Sequence, residues 1–157
     1  MGSDATPKIV IRRATVEEIR PLRHAILRAG LRMEAAHFEG DEEPTTYHLG
    51  AFIGVENVGC ASIKQEALDG EAGWRLRGMA VRDDVRTMGI GRQLLDELER
   101  IVLREAHGRL LWCNARTPAV PFYQRAGWTI VGAEFDIPTA GPHFRMYKRV
   151  SSVGEPG

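Results

Sequence analysis

The sequence predicts one mixed α/β domain. Three strand-like runs follow one another, Tyr47 to Val55, Val58 to Lys64 and Ala72 to Val81, and read as an antiparallel meander. They are followed by Ile90, Leu94, Leu95, Leu98, Ile101 and Val102, which recur at the spacing of one helix face rather than in alternation. A length of 157 residues, 43% hydrophobic and 27% charged, suits one core. The ends, 1–7 and 151–157, are rich in Gly, Ser and Pro and are expected to be disordered flanks of a domain at 8–150.

Along the chain, Ile9, Val10 and Ile11 read as a first strand. Thr15-Val16-Glu17-Glu18 matches a capping box, in which the threonine and glutamate side chains satisfy each other's end amides, so a helix should run toward Gly30. Pro21 lies beyond its first turn and is expected to kink or divide it. From Leu31 to Thr46 periodicity is lost and Gly40, Asp41, Glu42, Glu43 and Pro44 gather, the pattern of a mobile loop. Glu56-Asn57 reads as the hairpin turn between the first two runs of the meander. On the outer face of the later helix, Asp96 stands four residues before Arg100 as a surface pair. Gly108 should stop that helix, Leu110 to Cys113 forms a buried strand, and Pro118 opens a helix ending near Gly127. Trp128 to Ile137 and Phe144 to Val150 make a closing hairpin.

The formal net charge is zero, so bulk electrostatics points to neither a nucleic-acid nor a membrane partner. No apolar run approaches membrane-spanning length and the polar start has no hydrophobic signal region, so a cytoplasmic location is expected. Cys60 and Cys113 lie in apolar strand contexts and read as free buried thiols. The five histidines show no paired ligand spacing, so no metal is expected.

The stretch richest in chemistry is Arg86-Thr87-Met88-Gly89-Ile90-Gly91-Arg92, between a strand and a helix. The first amides of a helix have no partner within it, and the macrodipole adds partial positive charge, so an anion collects several hydrogen bonds there. Gly89 and Gly91 remove side chains that would hold a diphosphate off the backbone, and Arg86 and Arg92 add guanidinium charge. Arginines and glycines also occur at helix starts as ordinary capping.

This turn, preceded by Gly78-Met79-Ala80-Val81 and followed by the helix, resembles the acyl-CoA-binding core of the GCN5-related N-acetyltransferases, the GNAT family. Ala119-Val120-Pro121-Phe122-Tyr123-Gln124-Arg125-Ala126-Gly127-Trp128 resembles that family's second signature, a helix carrying a tyrosine and ending at glycine plus an aromatic. The resemblance implies a mixed, mostly antiparallel sheet flanked by helices, with acetyl-CoA as co-substrate and an amine, small molecule or peptide, as acceptor. It also implies that the backbones of Met79, Ala80 and Val81 face the pantetheine arm, and that the pyrophosphate sits on the amides from Thr87 to Arg92, through Met88, Gly89, Ile90 and Gly91, with Arg86 nearby. Asn114 and Phe122 are expected on the cofactor side. Where family members commonly carry an asparagine, seven residues before the tyrosine, this chain has Arg116, which reads either as a cofactor or acceptor contact or as a surface salt bridge.

By the same resemblance Tyr123 takes the place of the general acid, a role suited to a phenol that stays protonated at neutral pH. A core aromatic beside Phe122 is the other reading. Family members often carry the general base as a carboxylate on the central strands, yet Trp74 to Val81 contains no acid, which leaves Glu134, His48 and His143. His143, in the compact segment Gly141 to Met146, is the first to test. Arg23, His48 and Arg116 are the candidate acceptor contacts, although a solvated helix face also explains charges such as Arg23.

Two other classes fit part of the pattern. A non-catalytic acyl-CoA sensor needs the turn but neither acid nor base, and Tyr123 argues against it. A doubly wound mononucleotide-binding protein is disfavoured because the third glycine and the ribose-binding acid are missing. Exposed edges near the C-terminal hairpin leave a homodimer open.

Overall fold

A computed structural model describes residues 8–151. The flanks 1–7 and 152–157 lie outside the described residues, and Ser151 is exposed without regular structure. In chain order the elements are β1 (Val10–Arg13), α1 (Val16–Leu27), a 3-10 turn (Met33–Ala36), β2 (Tyr47–Ile53), β3 (Glu56–Gln65) and β4 (Gly73–Val81). A second 3-10 turn (Asp83–Met88), α2 (Ile90–Arg104), β5 (Leu110–Arg116), a third 3-10 turn (Thr117–Ala119), α3 (Val120–Arg125), β6 (Thr129–Ile137) and β7 (Gly141–Arg149) complete the chain. The strands form a seven-stranded sheet in the order β1-β2-β3-β4-β5-β7-β6. β4 and β5 run parallel, as the α2 crossover between them requires, whereas β1–β2, β5–β7 and β6–β7 are antiparallel.

The described residues fold as two compact units, one gathering 8–62 with Gly78–Glu97, the other Ile63–Arg77 with 98–151. In the first, Ala14, Ile19, Phe52, Cys60 and Ala80 form a core cluster against which Leu22, Ile26 and Leu27 of α1 pack. The capping box is present as expected: Glu18 N–H donates to the Thr15 hydroxyl at 3.2 Å, and Thr15 N–H to Glu18 at 2.9 Å. Helix α1 runs through Pro21 as one element, which corrects the expected division. Proline removes only one backbone donor, and the apolar stripe on either side of it holds the helix to its core. The hairpin turn also falls earlier than the sequence suggests, at Gly54-Val55, and Glu56 and Asn57 belong to β3.

Segment 31–46 is anchored rather than a free loop. Its short 3-10 turn buries Ala36 completely, and Asp41 accepts from Phe38 N–H at 2.9 Å and from Arg23 at 2.8 Å. A glycine at 59 lets α2 come close to β3, since a Cβ there would stand 2.8 Å from Ile90 Cγ2.

In the second unit β5 pairs with β7 over its whole length, and β6 extends that ladder with a register shift between Val131 and Phe135. Buried residues include Leu98, Ile101 and Val102 of α2 with Leu111, Cys113 and Met146. Lys148 donates to Glu99 and to the Ala126 carbonyl, both at 2.9 Å, and so places a cation at the C-terminus of α3.

Candidate active site

The glycine turn lies in the first unit. Gly89, at φ +73°, ends the 3-10 turn, and its carbonyl accepts the first helical bond of α2 from Gln93 N–H at 3.1 Å. The amides of Ile90, Gly91 and Arg92 lie ahead of that bond at the N-terminus of a long helix, and no acidic side chain occupies its first turn. A Cβ on Gly89 would meet open space, so an anion can approach that backbone. Arg86 pairs with Asp83 at 3.0 Å and Arg92 with Asp96 at 3.2 Å, all on exposed side chains. Asp96 thus accepts from Arg92, one turn before it. Thr87 is exposed, Met88 is half-buried, and the Ile90 side chain is wholly in the core.

Strand β4 leads into this turn. Its register with β5 runs over Gly73, Trp74 and Arg75, and the strand continues through Leu76 to Val81 beyond the last registered pair. Gly78 sits mid-strand at φ +67°, where an L side chain is strained, and a Cβ there would stand 3.0 Å from Arg23 Nε. Cys60 donates its thiol to the Gly78 carbonyl at 3.4 Å, and burial pushes that thiol's pKa up to about 12. Met79 and Val81 are half-buried, and Ala80 belongs to the core cluster.

Arg23 and His48, candidate acceptor contacts in the sequence, sit in a buried network. The Arg23 guanidinium is fully buried, donates to the Ala36 carbonyl at 3.0 Å, Asp41 at 2.8 Å and Ser62 at 3.0 Å, and lies 4.1 Å from the Phe38 ring centre. His48 Nε2 is 2.9 Å from the Asp41 carbonyl and Nδ1 is 2.6 Å from the Ser62 hydroxyl. A carbonyl only accepts, which assigns the proton to Nε2 and makes Ser62 the donor to Nδ1. Desolvation lowers the His48 pKa, outweighing the opposing pull of Asp41, and Arg23 and Arg20 lower it further. Burial opposes ionisation of Asp41, yet Arg23 and the Phe38 amide outweigh it and hold its pKa below the ordinary value. No local motif marks this network, because Arg23, Asp41, His48 and Ser62 come from four segments of the chain.

The remaining candidates lie in the second unit. Tyr123 is 5% exposed on α3, with Phe122 edge-on at 5.1 Å and Trp128 tilted at 5.2 Å. Burial, with the neighbouring Cys113, raises its phenol well above the ordinary value, so it stays protonated. His143 is buried on β7, its Nδ1 2.7 Å from the Gly141 carbonyl, which assigns that nitrogen as the donor and leaves the Nε2 lone pair. Glu134 is exposed and accepts from the Thr117 hydroxyl at 2.8 Å. Asn114 accepts from Arg145 at 3.2 Å, and Arg116 stands opposite His143 in the β5–β7 register.

Among the described residues no helix is long and apolar enough to cross a membrane, and no cluster of His, Cys, Asp and Glu fits a metal ion. The profile of the acetyltransferase (GNAT) domain family matches residues 15–146. A protein of Bacillus subtilis (strain 168) described as "Uncharacterized N-acetyltransferase YitI" is 33% identical over 141 residues, covering 88% of this chain and 94% of its own. Among solved structures, an aminoglycoside 6'-N-acetyltransferase complexed with coenzyme A is similar at TM-score 0.74 and 18% identity, covering 94% of this chain and 99% of that one. Ard1 from Thermoplasma volcanium is similar at TM-score 0.70 and 17% identity, covering 92% and 99%. These two share the fold, and the profile match together with the Bacillus relative places the chain in the GNAT family of N-acetyltransferases, enzymes that move an acyl group onto an amine.

Proposed function

We propose that this acetyltransferase uses acetyl-CoA, seating its pyrophosphate on the turn from Thr87 to Arg92 with Arg86 beside it. The observation that carries the reading is the start of α2: the N-terminus of a 15-residue helix with no acidic side chain in its first turn, and a glycine at 89 with open space where a side chain would stand. The β4 backbone from Met79 to Val81, past the last registered pair with β5, suits an extended arm lying along the strand. The fold resemblance to an enzyme complexed with coenzyme A supports the same choice.

In the transfer the acceptor nitrogen adds to the thioester carbonyl, the C–S bond breaks and the thiolate takes a proton. Tyr123 is the proposed proton donor, because its buried phenol remains protonated. His143 is the proposed acceptor of the amine's proton, because its Nδ1–H is committed to Gly141 and its Nε2 carries the lone pair. His48 does not suit that role, since both its ring nitrogens already have partners. Nothing in the described residues conflicts with the cytoplasmic location we propose.

Calorimetric titration with acetyl-CoA and with CoA tests the cofactor site, using wild type and the Gly89→Glu, Gly91→Glu double variant. Micromolar binding, roughly −8 kcal/mol, that is lost in the variant supports the reading. No binding of either ligand by wild type reduces the turn to a helix cap and overturns it.

A further inference from the structure

The second unit holds a cationic cluster that neither the fold nor the proposed chemistry uses. The register sets Arg75 of β4 opposite Trp112 of β5, and Arg145 of β7 opposite Asn114, so the two arginines flank β5 from either side. Both guanidinium carbons lie over the same indole, Arg75 at 5.1 Å and Arg145 at 5.0 Å from the Trp112 ring centre. The indole itself is 3% exposed, and its N–H donates to the Glu66 carbonyl at 2.9 Å, so the ring is a fixed base for both cations.

The charge around that base does not balance. Glu66 is shared by Lys64 at 3.6 Å and Arg75 at 3.5 Å, both long for an ion pair. Arg145 is held by a neutral amide, its Nε donating to Asn114 at 3.2 Å. Arg75 Nε is buried without a hydrogen-bond partner. Lys64 and Arg75 thus share one carboxylate while Arg145 lies over the same indole on a neutral partner, at a cost in mutual repulsion, and the side chains of Arg75 and Glu66 remain 24% and 33% exposed. Such an arrangement concentrates positive potential and presents forked donors to an incoming oxyanion.

We propose that the Arg75–Trp112–Arg145 cluster binds an oxyanion on the acceptor, so that the enzyme acts on amines that also carry a carboxylate or phosphate group. This rests on the acetyltransferase reading above and narrows its acceptor class. The indole supplies rigidity, the guanidinium groups supply charge and geometry, and Asn114 orients Arg145.

The test follows the Trp112 indole cross-peak in nitrogen–proton NMR, identified by its loss in Trp112→Phe. The probes are 4-aminobutyrate, 2-aminoethyl phosphate and the uncharged-tail control 4-aminobutyramide, at matched ionic strength. A saturable shift with either anionic amine, absent with the amide and lost in Arg145→Gln, supports the proposal, and the stronger of the two anions names the oxyanion. No saturable shift, an equal shift with the amide, or a shift that persists in both Arg145→Gln and Arg75→Gln overturns it. The indole peaks of Trp74 and Trp128 report whether each variant is folded. Sedimentation showing a dimer that Arg145→Glu dissociates assigns the cluster to a second copy of the chain and also overturns the proposal. Acetyl-CoA titration of the same samples separates the two readings: binding of acetyl-CoA without an oxyanion response sinks only this one.

Discussion

Replacing Arg23 with methionine removes a fully buried guanidinium that joins α1 to segment 31–46 and to β3. Asp41, whose side chain is 6% exposed, loses its 2.8 Å partner, and the Ala36 carbonyl and Ser62 hydroxyl each lose a donor. Breaking one side of a buried pair costs about 3–5 kcal/mol, because the remaining charge stays desolvated. Here Asp41 keeps the Phe38 amide at 2.9 Å and Arg20 at 3.5 Å, so the lower end applies. The expected loss is about 3 kcal/mol, equivalent to a fall of about 6–12 °C in Tm for a chain of this size. Urea unfolding of Arg23→Met, Asp41→Asn and the double variant measures it, with a coupling between the two sites of about 2 kcal/mol expected. A loss below about 1 kcal/mol, the scale of a surface pair, or a coupling near zero would show that the network does not hold the segment.

Further outcomes follow from the same structure. Because the folded state lowers the His48 pKa below its ordinary 6.5, the unfolded chain takes up that proton first. Stability should therefore fall as pH drops below about 6.5, and the difference between wild type and His48→Gln in urea midpoint across that window reads the effect; parallel curves would refute it. Tyr123→Phe should lower kcat by an order of magnitude or more, the usual scale for acid catalysis, with acetyl-CoA affinity unchanged by calorimetry; wild-type turnover removes the phenol from the mechanism. Gly89→Ala should cost only the strain of a left-handed residue, about 1–2 kcal/mol, since its Cβ meets nothing within 4 Å. Gly59→Ala should act by overpacking instead, at about 1–3 kcal/mol, since its Cβ falls 2.8 Å from Ile90 Cγ2 and 3.2 Å from Ala51 Cβ. Shortening Ile90 to Ala should relieve that clash in a double variant and leave Gly89→Ala unaffected, as denaturation midpoints would show.

Features encoded by neighbours in the chain were legible from the residues alone. The Thr15–Glu18 capping box, the α2 stripe from Ile90 to Val102 and the glycine turn are set by spacing, and spacing survives into the structure because a helix repeats it. Strand limits were less legible: Leu110–Arg116 outruns the apolar run from Leu110 to Cys113, because pairing with β7 carries Asn114, Ala115 and Arg116 along. Pro21 does not divide α1 for a related reason, since the local rule is outweighed by the packing of Ile19 before, and of Leu22, Ile26 and Leu27 after, one missing donor.

By itself, then, the sequence determined the mixed α/β order, the glycine turn and the tyrosine helix, since each is a matter of residues within a turn or two of one another. Tertiary structure alone decided which charges are buried as ties within the fold and which stay partly exposed. Arg23 and His48 look like surface groups in a helix and a strand, yet burial beside Asp41 and Ser62 turns them into internal ties. Arg75 and Arg145, which nothing in their own segments distinguishes, are brought over one tryptophan by strand register. A side chain's neighbours across a sheet are fixed by pairing between distant segments, and so are its hydration, its charge balance and its use.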